Sequence, residues 1–463
     1  MRIHFIAIGG SIMHQLAITL KEKGFSISGS DDKIYDPAYS NLKNNGILPE
    51  EIGFFPEKIS EDIDAVILGM HAKVDNPELA KARDLGVNIY SFPEYIYQQS
   101  KDKKRVVIAG SHGKTTITSM IMHVLRYWKC DFDFLVGASI KGFKTSVKLT
   151  DSAPVIILEG DEYLSSPIDR VPKFLYYKPQ LALISGIAWD HINVFPTYSD
   201  YYTQFIQFVS TIMDNGTLVY NTEDPAVRKL ALLINPGVNK FPYHTPGYIV
   251  EENKTYLNKG DKKIPLKIFG GHNLNNLQGA RIICNELGIS DDDFYIAIQT
   301  FEGAAKRLEL INKGNSTSVY KDFAHAPSKV KASISAVKAQ YSGRELVAML
   351  ELHTFSSLNE NFIGEYKGSM IDADLPIVYF DEAGFKAKGI DVFTEEQVRE
   401  AFKNDSIRVF TSQSKLESYL REIDWKGKNL LMMSSGNYAG LNLKEIADFI
   451  IYKQVKNKVK SQT

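Results

Sequence analysis

The chain's strongest constraint on its fold lies at residues 105–125. A short apolar segment, Arg105 to Ala109, runs straight into Gly110-Ser111-His112-Gly113-Lys114-Thr115-Thr116. Ile117, Met120, Ile121, Val124 and Leu125 then recur at the i, i+3, i+4 spacing of one helix face. The succession is strand, glycine-rich loop, helix. Glycines let backbone N–H groups turn inward onto phosphate oxygens, and the helix N-terminus adds its own unpaired amides. Lys114 can reach the β- and γ-phosphates, and the Thr115 hydroxyl can ligate Mg²⁺. Position 108 is Ile where the common eight-residue form of this loop has Gly. The Gly-Lys-Thr-Thr core in its strand–helix setting still points to a nucleoside triphosphate.

This unit is one of three αβ sections, and a chain of 463 residues is too long for a single core. The first section opens with a strand, Ile3 to Ile8, and a glycine turn. A helix follows with Met13, Leu16, Ala17 and Leu20 on one face, closed by Lys23-Gly24. A second strand ends at Gly29-Ser30-Asp31, which puts an acidic residue where a dinucleotide-binding fold places its ribose ligand. The fingerprint itself fails, because Ala7, Gly9 and Ile12 stand at its three glycine positions. Gly9, Gly10 and Ser11 therefore read either as a structural turn or as a site for a nucleotide diphosphate.

The second section starts after the polar run Gln98–Lys104. Beyond its phosphate loop, Val155 to Leu158 delivers Glu159, Asp161 and Glu162, and Leu181 to Ile184 is soon followed by Asp190-His191. Ligands of open parallel sheets gather at strand carboxyl ends, so carboxylates and an imidazole there are candidate Mg²⁺ ligands. The alternatives are a solvated strand end for Glu159 and a hydrogen-bonded side chain for His191. The third section has apolar strands at Val319-Tyr320, Leu346–Leu350, Ile377–Phe380, Arg408–Phe410 and Leu430–Met433, with amphipathic helices between.

Lys and Arg number 54 against 55 Asp and Glu, a net charge of −1, which leaves no electrostatic footprint for nucleic acid or an anionic membrane. Cys130 and Cys284 are too few for a disulfide framework, and a reducing cytoplasm is expected. The apolar start ends at Gly9-Gly10 without a cleavage site, no run reaches a bilayer's thickness, and Lys456–Thr463 reads as a disordered tail.

The chain resembles the Mur ligases along its whole length. Gly110 to Thr116 resembles the family's ATP loop, and Glu159-Gly160-Asp161-Glu162-Tyr163 the acidic segment whose first glutamate binds Mg²⁺. Asp190-His191 resembles the pair whose histidine binds a second Mg²⁺. Gly271-His272-Asn273 with Asn276 resembles an adenosine-binding element. Phe301 to Glu309, which contains Arg307, is similar to the segment that opens the third domain. Asp322-Phe323-Ala324-His325-Ala326-Pro327 resembles the loop that completes the ATP site. The resemblance implies three domains: a Rossmann-like one for UDP-sugar over 1–100, a central ATP domain over 101–302, and an α/β C-terminal domain for the amine over 303–463. It also implies the metal set Thr115, Glu159 and His191, a UDP-sugar set of Gly9, Gly10, Ser11 and Asp31, and UDP-N-acetylmuramate as acceptor.

Two branches fit. One joins L-alanine to the acceptor, and the other joins the intact L-Ala-γ-D-Glu-diaminopimelate tripeptide. The direct start on the first strand, Tyr35 and Pro37 after Asp31, and the Met432-Met433-Ser434-Ser435-Gly436-Asn437-Tyr438 ending favour the tripeptide. Asp75-Asn76-Pro77-Glu78 resembles the alanine branch. Ile206 stands where other branches carry a carbamylated lysine. The tripeptide would need a wide, charged cleft, for which His353–Ser357, Asp381–Lys386 and Ser434–Tyr438 are the candidate linings. Departures from the family pattern gather around the acceptor: Ile12, Gly186, Ala188, Asn193, Ala326 and Lys306 each replace a usual residue. They keep two further readings open, a nucleotide-binding protein without turnover and a ligase for another acid, such as folate polyglutamylation.

Overall fold

The computed structural model describes residues 1–70, 72–166, 168–387, 389 and 391–460, with side chains except at 384, 386, 387 and 454–460. Lys386, expected to line the cleft, thus has no described side chain. By internal contacts the chain forms two compact units. The first holds residues 1–189, 197–244 and 277–297, and the second holds 190–196, 245–276 and 298–463.

The first unit contains two sheets. The smaller comprises β1 (Arg2–Ile6), β2 (Ser26–Ser30), β3 (Ala65–Leu68) and β4 (Asn88–Ser91), in the order β2-β1-β3-β4 and parallel throughout. The helix Ser11–Glu22 buries Met13, Leu16, Ala17 and Leu20, as its spacing requires. The helix Pro77–Asp84 starts on a proline and is capped by Asn76, whose side chain accepts from the N–H groups of Glu78 and Leu79. The Asp-Asn-Pro-Glu motif is therefore a helix start.

The larger sheet comprises β5 (Lys104–Ala109), β6 (Asp133–Leu135), β7 (Val147–Lys148), β8 (Val155–Gly160), β9 (Leu181–Ile184), β10 (Thr217–Asn221) and β11 (Asn239–Tyr243). Its order is β11-β10-β9-β5-β8-β6-β7, parallel except for the β6–β7 pair. β5 sits between β9 and β8, and Val106, Val107, Ile108 and Ala109 are all fully buried. A strand covered on both faces carries a continuous apolar run instead of an alternation. Position 108 thus serves the core as Ile.

The second unit holds a three-stranded antiparallel sheet that the sequence did not reveal, β12 (Tyr248–Glu251), β13 (Lys254–Lys259) and β14 (Lys262–Leu266). Its six-stranded sheet runs β15-β16-β20-β17-β18-β19. The strands are β15 (Glu309–Lys313), β16 (Ser318–Asp322), β17 (Glu345–Glu351), β18 (Leu375–Tyr379), β19 (Arg408–Phe410) and β20 (Lys428–Met433). Only the edge strand β15 is antiparallel. Alternate residues supply two cores. Ala348, Leu350 and Val378 pack with Val330, Ile334 and Val337 of the helix Pro327–Gln340. Val347, Met349 and Ile377 pack with Leu416, Leu420, Ile446 and Ile450 on the other face.

The fold is α/β, as expected. The expected disordered tail is corrected in part. The last helix extends over Leu443–Lys460, anchored in the core through Ile446, Ala447 and Ile450 in its first half, and 461–463 lie outside the described residues. Among the described residues no helix is long and apolar enough to cross a membrane. Cys130 is exposed, Cys284 is buried, and both are free.

Candidate functional site

The loop Gly110–Thr116 leaves the carboxyl end of the central strand β5. Gly110 has φ +128°, where an added Cβ would collide with the Ser185 hydroxyl. Gly113 has φ +78° and precedes the helix Lys114–Tyr127, which has no side-chain cap. Its first amides are left for an external acceptor, and an anion is the natural one. Ser111 ties the loop down: its N–H donates to the Gly186 carbonyl at 2.9 Å, and its hydroxyl accepts from the Ala188 N–H at 2.8 Å. The two departures, Gly186 and Ala188, thus lie against the loop. An added Cβ at Gly186 would overlap the His112 ring, so the glycine makes room for that imidazole.

Lys114 Nζ donates to the Gly110 carbonyl at 2.7 Å and to Glu162 Oε2 at 2.5 Å. Glu162 is fully buried and also accepts from the Tyr201 hydroxyl at 2.8 Å. Burial pulls the Lys114 ammonium down, but Glu162, Asp161 and Glu159 outweigh it and hold its pKa above the ordinary lysine value. Asp161 pairs with Lys173 at 2.7 Å. The Thr115 hydroxyl donates to Glu159 Oε1 at 2.5 Å, and the Gly137 N–H donates to Glu159 Oε2 at 2.7 Å. Thr115 and Glu159, 44 residues apart, thus share one contact through adjacent strands β5 and β8. Two hard oxygen donors side by side suit a divalent cation. Sequence reasoning missed Tyr201, Gly137 and the role of Glu162. Their partners are distant in the chain, and no local motif marks them.

Around β1, the Gly9 N–H donates to Asp31 Oδ2 at 2.7 Å, and an added Cβ at Gly9 would lie 2.9 Å from the same oxygen. Asp31 therefore closes the turn, and burial raises its pKa. The helix Ser11–Glu22 again lacks a side-chain cap, which leaves amides beyond Gly10 open to an anion.

The second unit gathers the remaining candidates. Asp190 Oδ2 lies 3.3 Å from Lys329 Nζ, and Asp190 Oδ1 accepts from the His191 N–H at 2.8 Å. Burial pushes the Asp190 pKa up, but Lys329, His191 and His325 bring it below the usual carboxylate value. His191 holds φ +57°, and its carbonyl accepts from the N–H groups of Val194 and Phe195. The Arg307 guanidinium lies 4.6 Å from the Phe323 ring centre, and that ring meets His325 edge-on at 5.2 Å. His325 Nδ1 is 2.8 Å from the Phe323 carbonyl. Burial, then Lys329, lowers its pKa to about 4, so the ring is neutral at pH 7. Asp322 accepts from the Ser333 hydroxyl and from the Leu308 N–H at 3.3 Å, which commits its carboxylate to the fold. Burial likewise lowers the pKa of His272. Asn273 Nδ2 donates to the Phe269 carbonyl at 2.9 Å, and Asn276 is buried. Ala326 is buried too.

Residues 2–104 match the Mur ligase family catalytic domain, and residues 108–284 match the Mur ligase middle domain. UDP-N-acetylmuramate--L-alanine ligase of Sulfurihydrogenibium sp. (strain YO3AOP1) is 30% identical over 451 residues, covering 95% of this chain and 96% of that protein. The crystal structure of UDP-N-acetylmuramate:L-alanyl-gamma-D-glutamyl-meso-diaminopimelate ligase from Neisseria meningitides is 26% identical. It has a TM-score of 0.59 and covers 65% of this chain and 98% of its own. UDP-N-acetylmuramate-alanine ligase of Thermotoga maritima shares the fold at a TM-score of 0.67 and 18% identity, covering 99% of this chain and 100% of its own. The phosphate loop, its acidic partners, the two matched family domains and the relative aligned over 95% of the chain agree: the chain belongs to the Mur ligase family, whose members are ATP-dependent amide-bond ligases.

Proposed function

We propose that this enzyme joins L-alanine to the lactyl carboxylate of UDP-N-acetylmuramate. The observation that carries the choice of amine is the relative of that name, aligned over 95% of the chain. The sequence motifs had favoured the tripeptide, and the full-length relative moves the first choice to L-alanine. The tripeptide stays as the second reading, supported by the 26% identical Neisseria structure.

A carboxylate resists attack because its charge repels nucleophiles and its oxygen leaves poorly. Transfer of the γ-phosphoryl group of ATP gives an acyl phosphate, and the amine then displaces phosphate through a tetrahedral intermediate. Such transfer depends on positioning and charge neutralisation. In this reading Gly110–Thr116 wraps the phosphates with its amides. Lys114 turns its ammonium from Glu162 toward the transferred group. Thr115 and Glu159 would hold Mg²⁺, which supplies positive charge to the phosphate oxygens. Within the second unit, His191, His272, Asn273, Asn276, Arg307 and His325 are the residues that the family resemblance assigns to the nucleotide and its metal, with Asp322 fixing the Phe323–His325 loop. Gly9, Gly10, Ser11 and Asp31 receive the UDP-sugar.

A competition assay tests the reading. With UDP-N-acetylmuramate, ATP and both amines at equal concentration, the L-alanine adduct should dominate the products separated by mass spectrometry. A dominant tripeptide adduct would replace this reading with the second one, and phosphate release with neither amine required would end both.

A further inference from the structure

His14, near the start of the helix Ser11–Glu22, is a buried titratable side chain that the chemistry above does not use. Its Nδ1 lies 2.8 Å from the Gly10 carbonyl. A carbonyl only accepts, so Nδ1 carries the proton. Burial lowers the His14 pKa, so the ring is neutral at pH 7 and Nε2 is an acceptor. Gln15 Nε2 stands 2.9 Å from it and Asn41 Nδ2 3.3 Å. The Gln15 amide therefore turns its carbonyl the other way, and Oε1 accepts from the Thr145 hydroxyl at 2.7 Å. Each donor in this series meets an acceptor, which fixes both the tautomer and the amide orientation.

Thr145 lies 130 residues from Gln15, in the turn between β6 and β7 of the larger sheet. Its hydroxyl also accepts from the Val147 N–H at 3.1 Å. Thr19, one helical turn after Gln15, donates to the Val147 carbonyl at 2.9 Å. Two side chains of a helix beside the smaller sheet thus grip a hairpin of the larger one. In that hairpin Leu135 pairs with Val147, and the Val136 N–H donates to the Ser146 carbonyl at 2.9 Å. The next residue, Gly137, is the one whose N–H holds Glu159 Oε2, which leaves Oε1 to Thr115. One strand pair and a series of hydrogen bonds therefore connect the Gly9–Gly10 turn to the metal carboxylate, all inside the first compact unit.

We infer that Gln15 is a positioning residue: through His14 and Thr145 it ties the setting of the Gly9–Gly10 turn to that of Glu159, so that a UDP-sugar at the turn and a Mg²⁺–nucleotide at the phosphate loop strengthen each other's binding. The inference rests on the acceptor and ATP reading above. The Gly10 carbonyl accepts both the His14 N–H, at 3.0 Å, and the imidazole, so an anion that settles the turn settles His14 with it. By linkage the effect is reciprocal, and nucleotide bound at the loop favours the acceptor by the same factor.

Calorimetric titration of a non-hydrolysable ATP analogue with Mg²⁺, without and with saturating UDP-N-acetylmuramate, reads this factor. In the parent enzyme the acceptor should tighten the analogue by about fivefold or more. Gln15→Leu, which removes both amide contacts at similar volume, should cut the factor below about twofold while each ligand alone binds within about threefold of the parent. Thr145→Val removes only the hydroxyl, should show the same loss, and carries the test if Gln15→Leu does not fold. A factor that survives in the folded variants overturns the inference, as does a parent factor near one. Contacts that merely glue the two sheets would lower the melting temperature and weaken both ligands alike without touching the factor, and that result overturns it too. Failure of the parent enzyme to bind UDP-N-acetylmuramate strikes the acceptor reading itself, and the inference with it.

Discussion

At the scale of single residues, the site is governed by which charges are already paired. Lys114 is held by Glu162 and the Gly110 carbonyl, so triphosphate binding must exchange one anionic partner for another. His325 shows the opposite case, a group kept uncharged by its surroundings. Its pKa falls from an ordinary 6.5 to about 4 through burial and the nearby Lys329. Between those values the unfolded chain binds a proton that the native chain does not, so stability falls as pH drops from about 6.5 to about 4 and is fully present above that window. His325→Gln should flatten this part of the pH profile. Urea midpoints across the window check it, and an unaltered slope would show that the imidazole is not responsible.

At the scale of elements, the strand-to-helix turn after β5 depends on glycine for space as much as for conformation. Gly186 lies under the His112 ring, where a Cβ would overlap Cε1 and stand 2.6 Å from Nε2. Gly186→Ala must displace either the imidazole or the backbone that accepts the Ser111 N–H. Overpacking of this kind costs about 1–3 kcal/mol. A loop shifted by a fraction of an ångström loses roughly 10- to 100-fold in turnover. Phosphate-release kinetics with a parallel thermal melt measure both, and parent-like turnover would mean that the loop tolerates the methyl group. The helix Tyr198–Ser210 shows a local rule serving a distant need. Thr197 and Asp200 form a capping box that fixes its start, and Tyr201 in its first turn reaches Glu162.

At the scale of the whole molecule, two compact units with separate cores should unfold as two transitions. Gly9, Gly10, Ser11 and Asp31 all belong to the first unit. UDP-N-acetylmuramate at about 100 times its Kd should therefore stabilise one transition by about 2.7 kcal/mol and leave the other in place. Differential scanning calorimetry reads this directly. A single transition, or equal shifts of two, would contradict independent unfolding.

What the sequence determined by itself was every feature set by local periodicity or by one contiguous motif. The buried faces of the helices Ser11–Glu22 and Lys114–Tyr127, the continuous apolar strands β5 and β9, and the phosphate loop were legible because their signals span neighbouring residues. The antiparallel sheet of β12, β13 and β14 was not, since polar edge strands such as Lys262–Leu266 lack the apolar run of a buried strand. Nor were the pairings that define the site. Thr115 meets Glu159 across 44 residues, and Lys114 meets Glu162 across 48. Sequence names these residues, but which carboxylate a lysine reaches is decided by strand order and burial. Those are properties of the folded sheet, because they depend on how segments far apart in the chain exclude water from one another.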